Sequence, residues 1–90
     1  MRDDEFEWDY RKAASNERKH DVSFETARIA FDDPVAVDVD DPDPDEERYN
    51  RICLADNQLL VVCYTERNRR VRIISARKAN QYEQSIYENS

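Results

Sequence analysis

The chain has no glycine. Any turn that needs a positive φ must therefore be made by asparagine or aspartate, and the segments around Asp56-Asn57 and Asn68 are placed to do it. One histidine, two cysteines and no CxxC spacing offer no metal-binding motif, so neither metal nor cofactor is expected. Cys53 and Cys63 lie in apolar runs, and the acidic, aromatic N-terminus is unlike a secretory signal, which predicts buried free thiols. With Asp56-Asn57 as a two-residue turn, Cys53 falls opposite Leu60 and Cys63 opposite Asn50, so the thiols are off register. No run approaches the roughly 18 apolar residues of a membrane span. The expectation is a soluble, cytoplasmic protein with no membrane partner. At 90 residues the chain is too short for a multi-domain cofactor enzyme, and a single domain over residues 1–90 is expected.

Charge is abundant and unevenly placed. The net charge is −7, yet residues 1–45 hold 6 basic and 15 acidic side chains, whereas residues 46–90 hold 8 and 6. Arginine outnumbers lysine 11 to 3, and the acid is densest in DDPDPDEE, residues 40–47. A surface of this halophilic type stays hydrated when salt screens its self-repulsion, which points to a high-salt cytoplasm. The competing reading is that the acid is functional, as a mimic of nucleic-acid phosphates.

Periodicity gives the elements. Phe6, Trp8 and Tyr10 alternate with acids as a short edge strand. Asp9 caps a helix from about Tyr10 to His20, and Ser23 opens a second through about Phe31, ended by Asp32-Asp33-Pro34. Val35, Val37 and Val39 alternate with polar residues as a strand with one wet face, followed by a solvated acidic loop over residues 41–47. Arg48–Leu54, Gln58–Thr65 and Arg70–Ser75 read as antiparallel strands joined by hairpins. Ser75 is a natural cap for a last helix, in which Tyr82, Ile86 and Tyr87 recur with helical spacing. The class is α+β: a mostly antiparallel sheet of about five strands with two N-terminal helices and one C-terminal helix. The first hairpin sets Tyr49 opposite Tyr64, and a turn centred on Asn68 sets Tyr64 opposite Arg72, a row suited to cation–π attraction.

The basic side chains suggest phosphate chemistry. Arg48, Arg51, Arg72, Arg77 and Lys78 belong to or adjoin the three hairpin strands. Lys12 and Lys19 are seven residues apart and share a helix face, with Asn16 between them and His20 next in line. Arginine forks fit phosphates, and cations aimed at growing charge assist phosphodiester cleavage. The inventory fits RNA cleavage without metal, in which the ribose 2′-hydroxyl attacks the adjacent phosphate. His20 is suited to general acid–base work and equally to closing a helix C-terminus. Arg72 and Arg77 fit phosphate contacts or internal pairs with acids such as Glu47 or Glu83. Arg67, Arg69 and Arg70 read as a solvated hairpin tip.

The elements WD, N-x-x-K-H-x-V-x-F, E-R-Y and R-I-I-S-A-R occur in the segments EFEWDYRKAASNERKHDVSFETA, ERYNRICLADNQLLVVCYTE and VRIISARKANQYEQSIYE. In that order and spacing they resemble the BrnT family of type II toxin–antitoxin ribonucleases. The resemblance implies a RelE-like fold, ribonuclease activity on an RNA substrate that inhibits translation, and neutralisation by a BrnA-like antitoxin in a heterotetramer. Contact with DNA is then only indirect, through the antitoxin. The family positions fall on Lys19, His20, Glu47, Arg48, Arg72, Ser75 and Arg77. Arg48, Arg72 and Arg77 are expected to hold the scissile phosphate and His20 or Glu47 to move protons, with Lys12, Lys19, Arg51, Ser75 and Lys78 binding RNA. Asp21 and Cys53 stand where the family usually has glycine, which predicts local change at the first helix end and in the strand around Cys53. The alternative is a non-catalytic acidic module that mimics nucleic acid or docks a basic protein.

Overall fold

Asp9 decides where the first helix begins. Its carboxylate accepts the backbone N–H groups of Arg11 at 2.8 Å and Lys12 at 3.1 Å, two donors that a helix start otherwise leaves open. In the computed structural model, which describes residues 5–90, helix α1 accordingly spans Tyr10–His20. It ends at Asp21, which takes the left-handed conformation at φ 56° and donates its N–H to Glu17. Aspartate thus performs the glycine-type cap. Ser23 caps α2, Phe24–Ile29, through the N–H of Thr26 at 3.1 Å, and a 3₁₀ turn, Ala30–Asp32, prolongs it. The aromatic alternation at the start gives only a two-residue strand, β1, Phe6–Glu7; Tyr10 belongs to α1 and is exposed. No helix among the described residues is long and apolar enough to cross a membrane.

Four further strands follow: β2, Val37–Asp41; β3, Arg48–Ala55; β4, Gln58–Arg67; and β5, Arg70–Lys78. The sheet order is β1-β5-β4-β3-β2, antiparallel except for β1 against β5. Asp56 and Asn57, both at positive φ, make the first hairpin turn, and Cys53 faces Leu60, Cys63 faces Asn50 and Tyr49 faces Tyr64 as expected. The second hairpin differs by one residue. Arg69 joins Asn68 at positive φ, so the turn has two central residues and Tyr64 pairs with Ile73, while Arg72 pairs with Thr65. Arg72 therefore leaves the tyrosine row. The guanidinium over the rings is Arg51, 4.4 Å from the Phe31 centroid and 5.4 Å from that of Tyr64.

A bulge in β5 shapes the core. Ile73 pairs with Tyr64 and Ser75 with Cys63, leaving Ile74 as the extra residue. The inward positions therefore become Ile73 and Ala76, three apart, and both are buried. They join Phe6, Trp8, Phe24, Ala27, Cys53, Leu60 and Val62 beneath α1 and α2. Because β1 is so short, it covers β5 only at Val71 and Arg72. The side chain of Asn16 completes the edge beyond it: its Oδ1 accepts the Ala76 N–H at 3.1 Å, and its Nδ2 donates to the Ala76 carbonyl at 2.8 Å and to the Val22 carbonyl at 3.0 Å. A helical amide thus acts as a missing strand.

The opposite sheet face is covered at one end by α3, Gln81–Glu88, whose Ile86 and Tyr87 pack on Ile52 and Val61. Ser75 does not cap this helix, because pairing with β4 holds β5 extended to Lys78. Asn80 caps it, in a box where its side chain accepts the Glu83 N–H and Glu83 accepts the Asn80 N–H, each at 2.9 Å. At the other end lies the acidic segment, an irregular loop exposed at Pro42, Pro44, Asp45 and Glu47 as expected and also strapped down: Thr65 donates to the Glu47 carbonyl at 2.6 Å, and Glu46 pairs with Arg48 and Arg67.

Asn16→Ala leaves the Ala76 groups buried without partners. It is expected to lower stability by about 2–3 kcal/mol, read as a fall in urea midpoint at unchanged slope. A loss below about 0.5 kcal/mol would show that Asn16 does not complete the edge.

Candidate functional site

Lys12, Ser15, Asn16 and Lys19 recur at i, i+3, i+4 and i+7, so they occupy one face of α1, and His20 follows at its last turn. Asn16 fastens that face to β5. The result is an open groove of about 230 Å³ between helix and strand, lined by Lys12, Ser15, Asn16, Lys19, His20, Ile74 and Ser75. Ile74, the extra residue of the bulge, and Ser75 beside it form the strand wall of the groove. No carboxylate lines the groove, which sets it apart from the hollow of about 370 Å³ between β2 and β3, where Asp40, Asp41, Asp43, Glu46 and Glu47 surround Arg48. In an acidic chain the α1–β5 groove is a local reversal of sign, with two ammonium groups, an imidazole and two hydroxyls.

The other expected residues lie elsewhere. Arg48, Arg72 and Arg77 do share one sheet face, the one partly covered by α3, since Arg72 pairs with Thr65, Arg77 with Val61, and Arg48 stands one position beyond the Tyr49–Tyr64 pair. They do not converge. Arg48 is two strands from β5, roughly 10 Å across the sheet, and Arg77 lies two side-chain rows from Arg72. Each fork is also occupied: Arg48 by Glu46 at 2.8 Å and Asp43 at 3.3 Å, Arg72 by Glu7 at 2.7 Å, and Arg77 by both oxygens of Glu83 at 2.7 Å. The hydrogen bond from Arg77 holds the Glu83 carboxyl below its usual range despite partial burial. Glu47 sits beside Arg48, accepting the Tyr49 hydroxyl at 3.2 Å and pushing that phenol upward. Arg51 lies on the opposite face, forked to Asp38 through two bonds of 2.9 Å. Lys78 ends β5, exposed, beside Gln58, Leu59 and Gln84.

The expected set therefore divides. Lys12, Lys19, His20 and Ser75 come together in the groove; Arg72 and Arg77 flank it on the same strand; Glu47, Arg48, Arg51 and Lys78 are apart. Ser15 and Ile74 complete the groove without having been singled out in the sequence, although Ser15 falls on the same i, i+3, i+4, i+7 stripe. Neither cysteine contributes. Burial pushes the Cys53 thiol up to about 12 and the Cys63 thiol to about 11, so both stay protonated and unreactive at neutral pH. Among the described residues no group of three or more His, Cys, Asp or Glu side chains is placed to hold a metal ion.

A small α+β chain with lysines and an imidazole gathered over a strand has the makings of a protein that handles a polyanionic backbone. Residues 8–83 match the family described as the ribonuclease toxin, BrnT, of type II toxin–antitoxin systems, which covers most of the chain. The chain belongs to this family of endoribonuclease toxins, and so has an RNA target and an antitoxin partner. No curated protein matches the chain.

The ion pairs on both sheet faces give stability a sign in pH. Asp38 is held below the usual carboxylate range first by its hydrogen bonds from Arg51, and Glu83 by those from Arg77. A carboxyl lowered on folding contributes stability above its unfolded pKa, and that contribution is lost as pH falls through the folded value. The denaturation midpoint is therefore expected to drop between about pH 6 and about pH 3. Asp38→Asn should be less stable than the parent at the higher pH, and the gap should close at the lower; an equal gap at both would mean the Arg51 fork contributes nothing through charge.

Proposed function

We propose that the α1–β5 groove is where RNA is cut, by attack of a ribose 2′-hydroxyl on the adjacent phosphate without a metal ion. The observation that supports this most is the carboxylate-free lining, which places Lys12, Lys19 and His20 around one hollow. His20 takes the 2′-hydroxyl proton as the 2′-oxygen bonds to phosphorus. The bond to the 5′-oxygen then breaks, leaving a 2′,3′-cyclic phosphate, and an ammonium group or water protonates the departing oxygen. Lys12 and Lys19 offset the negative charge that accumulates on the phosphate oxygens, and the Ser15 and Ser75 hydroxyls donate hydrogen bonds to it.

Arg72 and Arg77 act from the flanks, exchanging Glu7 and Glu83 for phosphate oxygens of the bound strand. Such an exchange replaces one anion by another at each fork, so no guanidinium is left unpaired. Glu47 and Arg48 fix the acidic segment, while Arg51 and Lys78 remain outside the reaction. The chain acts as one domain in the cytoplasm, where cutting RNA inhibits translation. A BrnA-like antitoxin neutralises it in a heterotetramer and provides the only contact with DNA.

The test is cleavage of a single-stranded RNA by purified protein with and without a chelator, over a range of salt. Equal rates in both are expected, with His20→Gln slowing turnover by about 100-fold or more and Lys12→Ala with Lys19→Ala weakening RNA binding and its salt dependence. Cleavage by His20→Gln at the parental rate, or activity that vanishes with chelator, would overturn the reading.

A further inference from the structure

We propose that the antitoxin docks on the outer edge of β2 by adding a strand whose residues alternate between aliphatic and basic. The proposal takes from the functional reading only that such a partner exists. Strand β2 ends the sheet, so among the described residues one whole side of its backbone faces no other strand. Unpaired edges of this kind accept an extended segment through main-chain hydrogen bonds, and the side chains alongside set the choice of partner.

Those side chains are sorted by face. Val37 pairs with Ile52 and Val39 with Asn50, which puts both valines on the α3 side of the sheet; Asp38 pairs with Arg51 and Asp40 with Tyr49, on the other side. Val35 lies in the turn before the strand, and Ile29 and Leu54 line a groove of about 430 Å³ with Asp32, Asp33 and Asp56. Among the described residues six large hydrophobic side chains are exposed; Val39 at 40% lies on this strand and Val35 at 61% just before it, while Ile29 at 54%, at the end of α2, and Leu54 at 46%, on β3, line the adjoining groove. Apolar surface concentrated beside an open backbone edge marks an interface.

The edge is also preformed. Asp33 accepts the N–H groups of Val35 at 3.0 Å and Leu54 at 2.8 Å and the Tyr87 hydroxyl at 2.8 Å, fixing the entry to β2 against β3 and α3. A strand added there need not order its platform first. Charge selects the occupant. A second copy of β2 laid against this one would oppose Asp38 and Asp40 with aspartates of its own, which like-charge repulsion disfavours. A strand with lysine or arginine on that side and aliphatic residues beside Val37 and Val39 meets complementary surfaces on both. Because β2 and β5 are separated by three strand spacings, roughly 14 Å, docking here leaves the α1–β5 groove physically separate.

The experiment pairs this chain with the protein encoded by the adjoining reading frame. Hydrogen exchange of the wild-type complex is expected to show new protection of the β2 amides, residues 37–41. The double variant V39K with D40K should bind that protein about tenfold or more weakly while still cutting RNA as the parent does. H20Q should bind it normally and fail to cut. Unchanged exchange in β2, or equal affinity of the double variant, would overturn the assignment. So would a wild-type homodimer that the double variant dissolves, since the edge would then belong to a second copy. If the wild type cuts no RNA, the function proposed above falls, and β2 protection still decides this one.

Discussion

One side-chain amide holds the architecture of the candidate site together. Asn16 pairs with both backbone groups of Ala76 and with the Val22 carbonyl, so it joins α1, the turn after it and β5 at a single buried point. Among the described residues the two-residue β1 leaves most of the β5 edge without a strand neighbour. Buried backbone groups without partners are costly, and Asn16 supplies both an acceptor and donors at that place. The groove is a consequence: with the helix fastened at Asn16, the residues one turn either side of it overhang the strand.

The guanidinium groups follow a different economy. A chain with far more acid than base pairs its arginines internally, and the pairs reach across the fold: Glu7 to Arg72, Asp38 to Arg51, Glu83 to Arg77. These pairs tie edge strand to neighbour and helix to sheet, and Arg51 in addition lies over Phe31 and Tyr64. The positive charge of the groove comes instead from two lysines on a helix. An acidic surface thus keeps, in the α1–β5 groove, a small region where a phosphate meets no competing carboxylate in the lining.

Features fixed by neighbouring residues were legible in the sequence. Asp9 and Ser23 as caps and the Asp56-Asn57 turn depend on contacts within a few positions, and the Tyr49–Tyr64 pairing follows from that turn. The register of β5 was not, because Arg69 shares the turn with Asn68, and a positive φ at arginine leaves no mark in composition. Nor was the bulge at Ile74, which shows only in the register of β5 against β4. Ser75 was misread as a cap although Asn80-x-x-Glu83 carried the stronger capping pattern. At the site, the shared face of Lys12 and Lys19 was visible from spacing alone. That Asn16 turns inward was not, since a polar residue between two lysines reads as solvated until its distant partner is known. Of the arginine partners, Glu83 beside Arg77 was legible, whereas Glu7 was hidden for the same reason: 65 positions separate it from Arg72.

The most direct test of the central claim is amide exchange and chemical-shift mapping by NMR on the free protein, followed by titration with a non-cleavable single-stranded RNA analogue. The account predicts an Ala76 amide as protected as those of the β4–β5 ladder, and shifts on titration centred on Lys12, Ser15, Lys19, His20 and Ser75. A freely exchanging Ala76 amide, or shifts centred on Glu47 and Arg48 instead, would contradict it.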